Sequence, residues 1–417
     1  MKILWITNTI FPAPCKTLGI PAPVVGGWMY GLANQLATTE NIQLAVATTY
    51  KGNELKTFDI DGIFYYLLPN VTSTSYPKNL ESHWRNICTE FQPDVIHIHG
   101  TELSHGLACM RACPLLNYVI SIQGLVSVYA RYYLAGLSLS ELLKNITFRD
   151  IVRFDTLFQA KNKFFKRGLF EQEYIQRTQH VIGRTRWDYA HTKTINPSVN
   201  YHFCNETLRD GFYTSPKWSI ANKTDYTIFL SQASYPIKGL HQVLKAIVLL
   251  TKDFPDIKIR VAGQNITQTT TLMNKIKLSG YGSYIKKLIN QLKLHDQVQF
   301  IGSLTEEQMI VEYLKAHLFI CPSSIENSPN SLGEAQLLGV PIVASYVGGV
   351  PDMVTQGKTG LLYRFEEVEM LAEHMRNLFM NTTLALSLSK TGISVAEQRH
   401  HQTCNLQKII EIYRLTI

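Results

Sequence analysis

Several common signals are missing from this 417-residue chain. No apolar run approaches the roughly 18 residues that a helix needs to span a bilayer. The start, Met1-Lys-Ile-Leu-Trp-Ile-Thr-Asn8, lacks the basic leader, long apolar middle and small-residue cleavage site of a secretory signal. A cytoplasmic protein is therefore expected, with the inner face of the plasma membrane as an alternative, peripheral location. Seven cysteines form an odd, scattered set with no Cys-x-x-Cys pair, which argues against a disulfide framework and against a zinc site. Charge is scarce too, at 17% against 45% hydrophobic residues, the balance of a globular chain. What charge there is leans positive, +8 net from 40 basic and 32 acidic residues. Such an excess suits nucleic acid, an anionic membrane face or a phosphorylated small ligand. No zinc-finger, basic-zipper or RNA-binding signature accompanies it, so nucleic acid is not an expected partner.

A chain this long divides comfortably into two domains of roughly 200 residues. Strand-like runs at Lys2–Asn8, Gln43–Thr48, Ile63–Leu68, Asp94–Ile98, Tyr118–Ile122 and His180–Gly183 alternate with helical patterns. A Pro-rich loop from Pro12 to Pro23 leads to Gly26-Gly27 and a helix from Trp28 to Thr38. The rhythm resumes at Tyr226–Ser231, Ile257–Ala262, Val298–Ile301, Leu318–Cys321 and Ile342–Ala344. Alternation of this kind predicts an α/β fold with mostly parallel sheets, two doubly wound Rossmann-like domains facing across a cleft. The expected boundaries are 1–208 for the first domain, 209–224 for a linker, 225–395 for the second domain and 396–417 for a carboxy-terminal helix packing back on the first. A helical insertion at about 125–179 belongs, on this reading, to the first domain. Between Lys144 and Arg167 it carries seven Lys/Arg against two Asp. A solvated helix face explains that, and so does contact with an acceptor or an anionic membrane surface.

The most informative stretch runs from Cys321 to Pro341, CPSSIENSPNSLGEAQLLGVP. It leaves a predicted strand, crosses a polar loop and enters a helix near Pro329 to Ser331, with Ser328 or Asn330 as candidate cap. A loop-to-helix junction presents free backbone N–H groups and the positive dipole end, suited to a diphosphate or to sugar hydroxyls. Glu326 precedes that helix and Glu334 lies about a turn inside it. Carboxylates grip vicinal hydroxyls well, each oxygen accepting separately. Lys238-Gly239 follows the first strand of the second domain, where a lysine would neutralise a departing diphosphate. His97 and His99 in Asp-Val-Ile-His-Ile-His-Gly100 are expected on opposite faces of their strand, hence a poor shared metal site, with His99 facing the acceptor. No Asp-x-Asp pair stands in a matching context, so no metal is expected.

This set of motifs resembles the signature of the retaining family 4 glycosyltransferases, of GT-B fold. The resemblance rests on Glu326, Glu334-Ala335, Gly339-Val340-Pro341, Gly348-Gly349-Val350-Pro351, Gly360-Leu361-Leu362 and Phe300-Ile301-Gly302-Ser303-Leu304. It is strong over Ile228–Arg364 and weaker at Gly26-Gly27 and His97–Gly100. It implies a nucleotide-sugar, UDP- or GDP-linked, as co-substrate, with no separate cofactor, and a saccharide or lipid-linked acceptor. Asn327, Ser328, Pro329, Asn330, Ser331 and Leu332 would hold the sugar and distal phosphate, Glu326 the sugar hydroxyls, Glu334 the ribose. Gly26 and Gly27 would approach the phosphates, while Gly302 and Ser303 would lie near the base. Net retention follows from the same resemblance, with front-face attack as the preferred route.

Two positions depart from the family pattern. Ala233 stands where relatives commonly have an Arg, which throws the phosphate clamp onto Lys238, the helix dipole or another cation such as Arg184. Gln123 stands where they often have a His; it hydrogen-bonds a sugar hydroxyl but carries neither proton nor charge. Glu206 and Arg209 read either as organisers of the cleft or as a hinge salt bridge. The departures keep two alternatives open: an epimerase or phosphorylase on the same frame, or an inactive sugar-nucleotide-binding subunit.

Overall fold

A parallel strand buried on both faces reads as an unbroken apolar run rather than an alternating one. Lys2–Thr7 is such a strand, its five residues after Lys2 all buried. In the computed structural model, which describes residues 1–23, 26–69 and 74–417, contacts divide the chain into two compact units. Unit 1 comprises Met1–Tyr129, Lys163–Arg209 and His400–Ile417; unit 2 comprises Ala130–Asn162 and Asp210–Arg399.

Unit 1 holds eight strands among the described residues: β1 (Lys2–Thr7), β2 (Gln43–Thr49), β3 (Lys56–Ile60), β4 (Ile63–Leu68), β5 (Val95–His99), β6 (Tyr118–Ser121), β7 (His180–Gly183) and β8 (Asn200–Phe203). Their order is β3-β4-β2-β1-β5-β6-β7-β8, all neighbours parallel except the β3–β4 hairpin. Connections reverse direction between β1 and β5, the switch point where doubly wound sheets open a crevice. Successive β1 side chains divide between two cores. Leu4 and Ile6 join Trp84, Ile98 and Leu107 on one side; Ile3 and Trp5 join Leu32, Val46 and Tyr413 on the other. Tyr413, in the helix Gln402–Thr416, anchors the chain end through its hydroxyl. Trp5 Nε1 donates to it at 2.9 Å, and it lies 2.6 Å from His97 Nδ1, whose Nε2 faces Ser121 Oγ at 2.7 Å.

Unit 2 holds β9 (Thr227–Leu230), β10 (Lys258–Val261), β11 (Val298–Phe300), β12 (Leu318–Cys321), β13 (Ile342–Ser345) and β14 (Leu361–Tyr363). They form a parallel sheet, order β11-β10-β9-β12-β13-β14, that switches direction at β9 and β12. Two doubly wound parallel sheets are thus present, as the periodicity predicts.

Three features differ from expectation. The stretch Ala130–Asn162 packs with unit 2, not with the first domain. His241 Nε2 sits 2.9 Å from the Ala135 carbonyl, Tyr284 donates to Glu141 at 2.9 Å, and Thr147 to the Leu278 carbonyl at 2.8 Å. The segment 209–224 is no free linker, because Trp218 is buried, with Nε1 donating to the Ala316 carbonyl at 2.8 Å. Pro12 to Leu18 forms a helix rather than a loop. Prolines in a first turn cost nothing there, since those N–H groups have no intrahelical acceptor.

Candidate active site

In unit 2 the expected site residues collect at the carboxyl ends of the strands. Lys238 follows β9, Gly302 follows β11, the Glu326 loop follows β12 and Gly348 follows β13. That edge is where doubly wound sheets take ligands. The loop after β12 is held tightly: Ser324 N donates to the Ile237 carbonyl at 2.8 Å, and Ser345 Oγ to the Ser323 carbonyl at 2.5 Å. Glycine is required at two contacts. A Cβ on Gly239, whose φ is +68°, would lie 1.8 Å from the Pro322 carbonyl oxygen, and one on Gly348 (φ +52°) would lie 1.9 Å from that of Glu326. The Gly348-Gly349 pair therefore packs directly on the Glu326 backbone, with Gly349 N donating to it at 3.0 Å.

The helix Asn330–Leu338 begins after Pro329, which serves as its N-cap without a side-chain bond; neither Ser328 nor Asn330 takes that place. Asn330 and Ser331 open the helix, so their amides have no acceptor four residues back. Ser328 to Ser331 are partly exposed, whereas Asn327 and Leu332 are buried. Donors and the positive helix end thus face a partly open rim. Glu334 is buried inside the helix, its Oε2 3.5 Å from the Tyr313 hydroxyl, which also donates to the Ser331 carbonyl at 2.9 Å.

Lys238 and Glu326, 88 residues apart, meet. Lys238 Nζ donates to Glu326 Oε1 at 2.5 Å, and Ser323 Oγ donates to the same oxygen at 2.8 Å. Side-chain exposures of 17% and 9% make this a largely buried ion pair. Burial alone would lower the basicity of Lys238, but the Glu326 carboxylate, with smaller help from Tyr235, outweighs it and holds the ammonium charged. No local pattern reveals the pairing; each residue is legible singly. Gly302 and Ser303 lie at the β11 end, where the Gly302 carbonyl accepts from Gly263 N at 2.8 Å.

In unit 1, Gly26, His99 and Gln123 line one open pocket of about 370 Å³ beside the β1–β5 switch point. Asn8, Glu102 and Arg167 line it as well. These three escape sequence reasoning because nothing in their neighbourhoods distinguishes them. Asn8 Nδ2 donates to Glu102 Oε2 at 2.7 Å, and Arg167 Nε to the Glu102 carbonyl at 2.7 Å. Burial raises the Glu102 carboxyl above the usual range. Gly27 opens the helix Gly27–Ala37, with Arg209 against its backbone. The loop carrying Gln123 is pinned by Glu171. This buried carboxylate accepts from Val126 N (2.8 Å), Ser127 N (3.0 Å), Ser127 Oγ (2.5 Å) and Thr101 Oγ1 (3.0 Å). Its pKa is pushed up to about 7 by burial, which those bonds only partly offset.

Two expectations are corrected here. His97 and His99 share a face, with ring centroids 3.7 Å apart. Strand side chains alternate with period two, so residues i and i+2 fall on the same side. Both are buried; His99 is driven down to about 3 by burial and then by the nearby Arg184 charge, and burial lowers His97 well below the usual imidazole range. Neither ring nitrogen of His99 has a hydrogen-bond partner among the described residues. Arg184 is not spare for a phosphate. Its guanidinium is ion-paired with Glu206 and donates to the Ile122 and Gln123 carbonyls, within unit 1. Glu206 therefore serves a buried pair.

Residues 214–395 match the family described as glycosyl transferases group 1. The matched span covers β9 to β14 and the unit 2 site residues from Lys238 to Gly349, but not the Ala130–Asn162 stretch of that unit. A D-inositol 3-phosphate glycosyltransferase from Corynebacterium urealyticum is 24% identical over 184 residues, 43% of this chain and 40% of that one. The match thus spans less than half of that relative's length. The whole fold is that of solved glycosyltransferases. Sucrose-phosphate synthase from Thermosynechococcus elongatus superposes with a TM-score of 0.71 at 15% identity, covering 100% and 99% of the two chains. Anabaena Alr3699/HepE, solved with UDP and glucose, gives 0.65 at 15% identity, covering 99% of each.

Proposed function

We propose that this protein is a retaining glycosyltransferase that moves a sugar from a nucleotide-sugar, UDP- or GDP-linked, to a hydroxyl acceptor. The observation that carries the reading is the Lys238–Glu326 ion pair seated beside the start of the helix Asn330–Leu338 in a group 1 glycosyltransferase domain. A nucleoside diphosphate leaves with negative charge developing on its distal phosphate. A buried ammonium and the opening amides of a helix meet that charge without reorganising, and so without needing a metal. Glu326 accepts from sugar hydroxyls while keeping the lysine in place, and Glu334 accepts from the ribose. The pocket holding His99, Gln123 and Glu102 offers neutral and acceptor groups that suit a saccharide or lipid-linked acceptor hydroxyl. His99, uncharged at neutral pH, acts there as a hydrogen-bonding group and not as an acid.

Bacterial cell-surface polysaccharide or glycolipid synthesis is the proposed setting, prompted by the likeness in fold to WaaG, a glycosyltransferase involved in lipopolysaccharide biosynthesis. A thermal-shift panel of nucleoside diphosphates and nucleotide-sugars tests the donor, since a ligand that binds only the folded state raises the melting point by mass action. Release of nucleoside diphosphate that depends on added acceptor separates transfer from epimerisation, which needs none, and from an inactive binding subunit, which releases none. NMR of the product's anomeric proton reads retention directly. A panel in which no nucleotide or nucleotide-sugar shifts the melting point would overturn the proposal.

A further inference from the structure

The short helices Leu139–Lys144 and Phe148–Val152 present their apolar residues outward. Leu139, Leu143, Phe148, Ile151, Val152 and Phe154 are all exposed, Phe154 at 72%. A second segment, remote in sequence, joins them. The helix Leu272–Lys277 packs against Phe148–Val152 and exposes Leu272 (75%), Met273 and Ile276. The Thr147–Leu278 hydrogen bond and the Lys287 Nζ contact with the Lys144 carbonyl at 2.9 Å fix the two segments together inside unit 2. Of the large apolar residues in the helix Leu139–Lys144 only Leu142 is buried, and these segments turn nine others to solvent, an arrangement that their own core does not explain. Patches of this kind mark surfaces that another phase or molecule covers.

The charges around the patch say which. Lys144, Arg153, Lys275 and Lys277 are exposed. The acids nearby, Glu141, Asp150 and Asp155, are outnumbered by Lys144, Arg149, Arg153, Lys275 and Lys277, five cations against three anions. The rim is therefore positive. A second copy docked on the same face about a two-fold axis would set lysine against lysine. A sheet of anionic headgroups over acyl chains matches both features at once, apolar side chains inserted and cations among phosphates. We infer that this face of unit 2, formed by residues 139–154 and 272–277, docks on an anionic lipid bilayer surface without spanning it. No helix among the described residues is long and apolar enough to cross.

Cosedimentation with vesicles of phosphatidylcholine alone and of phosphatidylcholine mixed with phosphatidylglycerol tests this. The full chain is expected to pellet with the mixed vesicles, to be released by added salt, and to stay in solution with the neutral ones. Lys275→Gln with Lys277→Gln should weaken binding about 25-fold, at about fivefold for each cation near an anionic surface. Ile151→Ser with Leu272→Ser should weaken it even in low salt. All four sites are exposed, so unchanged melting points and nucleotide binding will show that the variants fold. Equal binding to neutral and mixed vesicles, or undiminished binding by both double variants, overturns the inference. So does a concentration-dependent dimer that the Ile151→Ser, Leu272→Ser variant abolishes.

Discussion

Replacing Lys238 by Met tests whether the ion pair with Glu326 serves chemistry or only architecture. The substitution keeps most of the stem and removes the ammonium. It leaves the Glu326 carboxylate, 9% exposed, with the Ser323 hydroxyl as its remaining donor among those described above. Breaking a buried pair by removing one partner costs about 3–5 kcal/mol. The lower end applies here, because Lys238 is itself 17% exposed and Ser323 still donates. A unit of this size loses about 2–4 °C per kcal/mol, so a fall of about 6–12 °C in melting point is expected. Turnover of the donor should fall further than stability explains, by about 100- to 1000-fold, as when one preorganised donor to a developing anion is lost. The double variant Lys238→Met, Glu326→Leu separates the two effects. It carries no stranded charge and should recover most of the melting point, yet none of the turnover. Calorimetric donor titration and nucleoside diphosphate release at saturating donor provide the readouts. A Lys238→Met protein that melts lower but binds and turns over donor like the parent would show that the pair is scaffold alone.

Glu334→Ala should lower affinity for ribonucleotides and leave that for free sugars unchanged; equal affinity for every nucleotide would remove the ribose contact. Tyr413→Phe deletes one hydroxyl that serves two fully buried partners, Trp5 Nε1 and His97 Nδ1. At about 1–3 kcal/mol for each of the two groups left unsatisfied, denaturant unfolding should lose about 2–6 kcal/mol, and an unchanged midpoint would contradict the network. Stability should also fall on mild acidification. His99, His105 and His241 have folded pKa values near 3, 4 and 4 respectively, lowered in each case chiefly by burial. Each is therefore protonated first in the unfolded chain. Their contribution is complete above about pH 6.5 and is lost as pH falls toward 4, by up to about 1.4 kcal/mol per pH unit for each. Glu171, raised to about 7, and Glu102, also raised by burial, act in the opposite sense, but they are two groups against at least five lowered histidines, His97 and His317 included. Melting temperatures that rise on going from pH 6.5 to 5 would refute the assignment.

Most of the frame was readable because parallel strands leave a strong trace. β1, β4, β7 and β12 are nearly unbroken apolar runs, buried on both faces. β3 and β8 escaped notice for the opposite reason. They are edge strands, Lys56-Thr-Phe-Asp-Ile60 and Asn200-Tyr-His-Phe203, exposed or half-buried throughout, so their polarity resembles that of a loop. Composition shows that Ala130–Asn162 is helical but not which sheet it covers. That depends on contacts such as His241 with the Ala135 carbonyl, 106 residues apart. His97 and His99 share a face because they stand two residues apart on one strand.

The site itself was legible as separate letters, and its grammar was not. Glu326, Lys238 and the glycines stand out because each satisfies a local demand: a carboxylate before a helix, a lysine after a strand, a missing Cβ. Their mutual dependence is spatial. Gly348 must lack a side chain because the Glu326 carbonyl passes 1.9 Å from where its Cβ would be, and Gly239 because Pro322 does the same. Both glycines thus press on the one loop, 322–326, that delivers Glu326 to Lys238. Ala233, standing where relatives commonly carry an arginine, acquires its meaning only with that loop in view. It is buried at 3%, so no cation projects from that position, and Arg184 is already committed to Glu206. On the proposed reading, the positive charge that a departing diphosphate requires then falls mainly on Lys238, which Glu326 holds in its charged state. A restoring substitution, Ala233→Arg, would consequently have to displace buried packing before it could reach a phosphate.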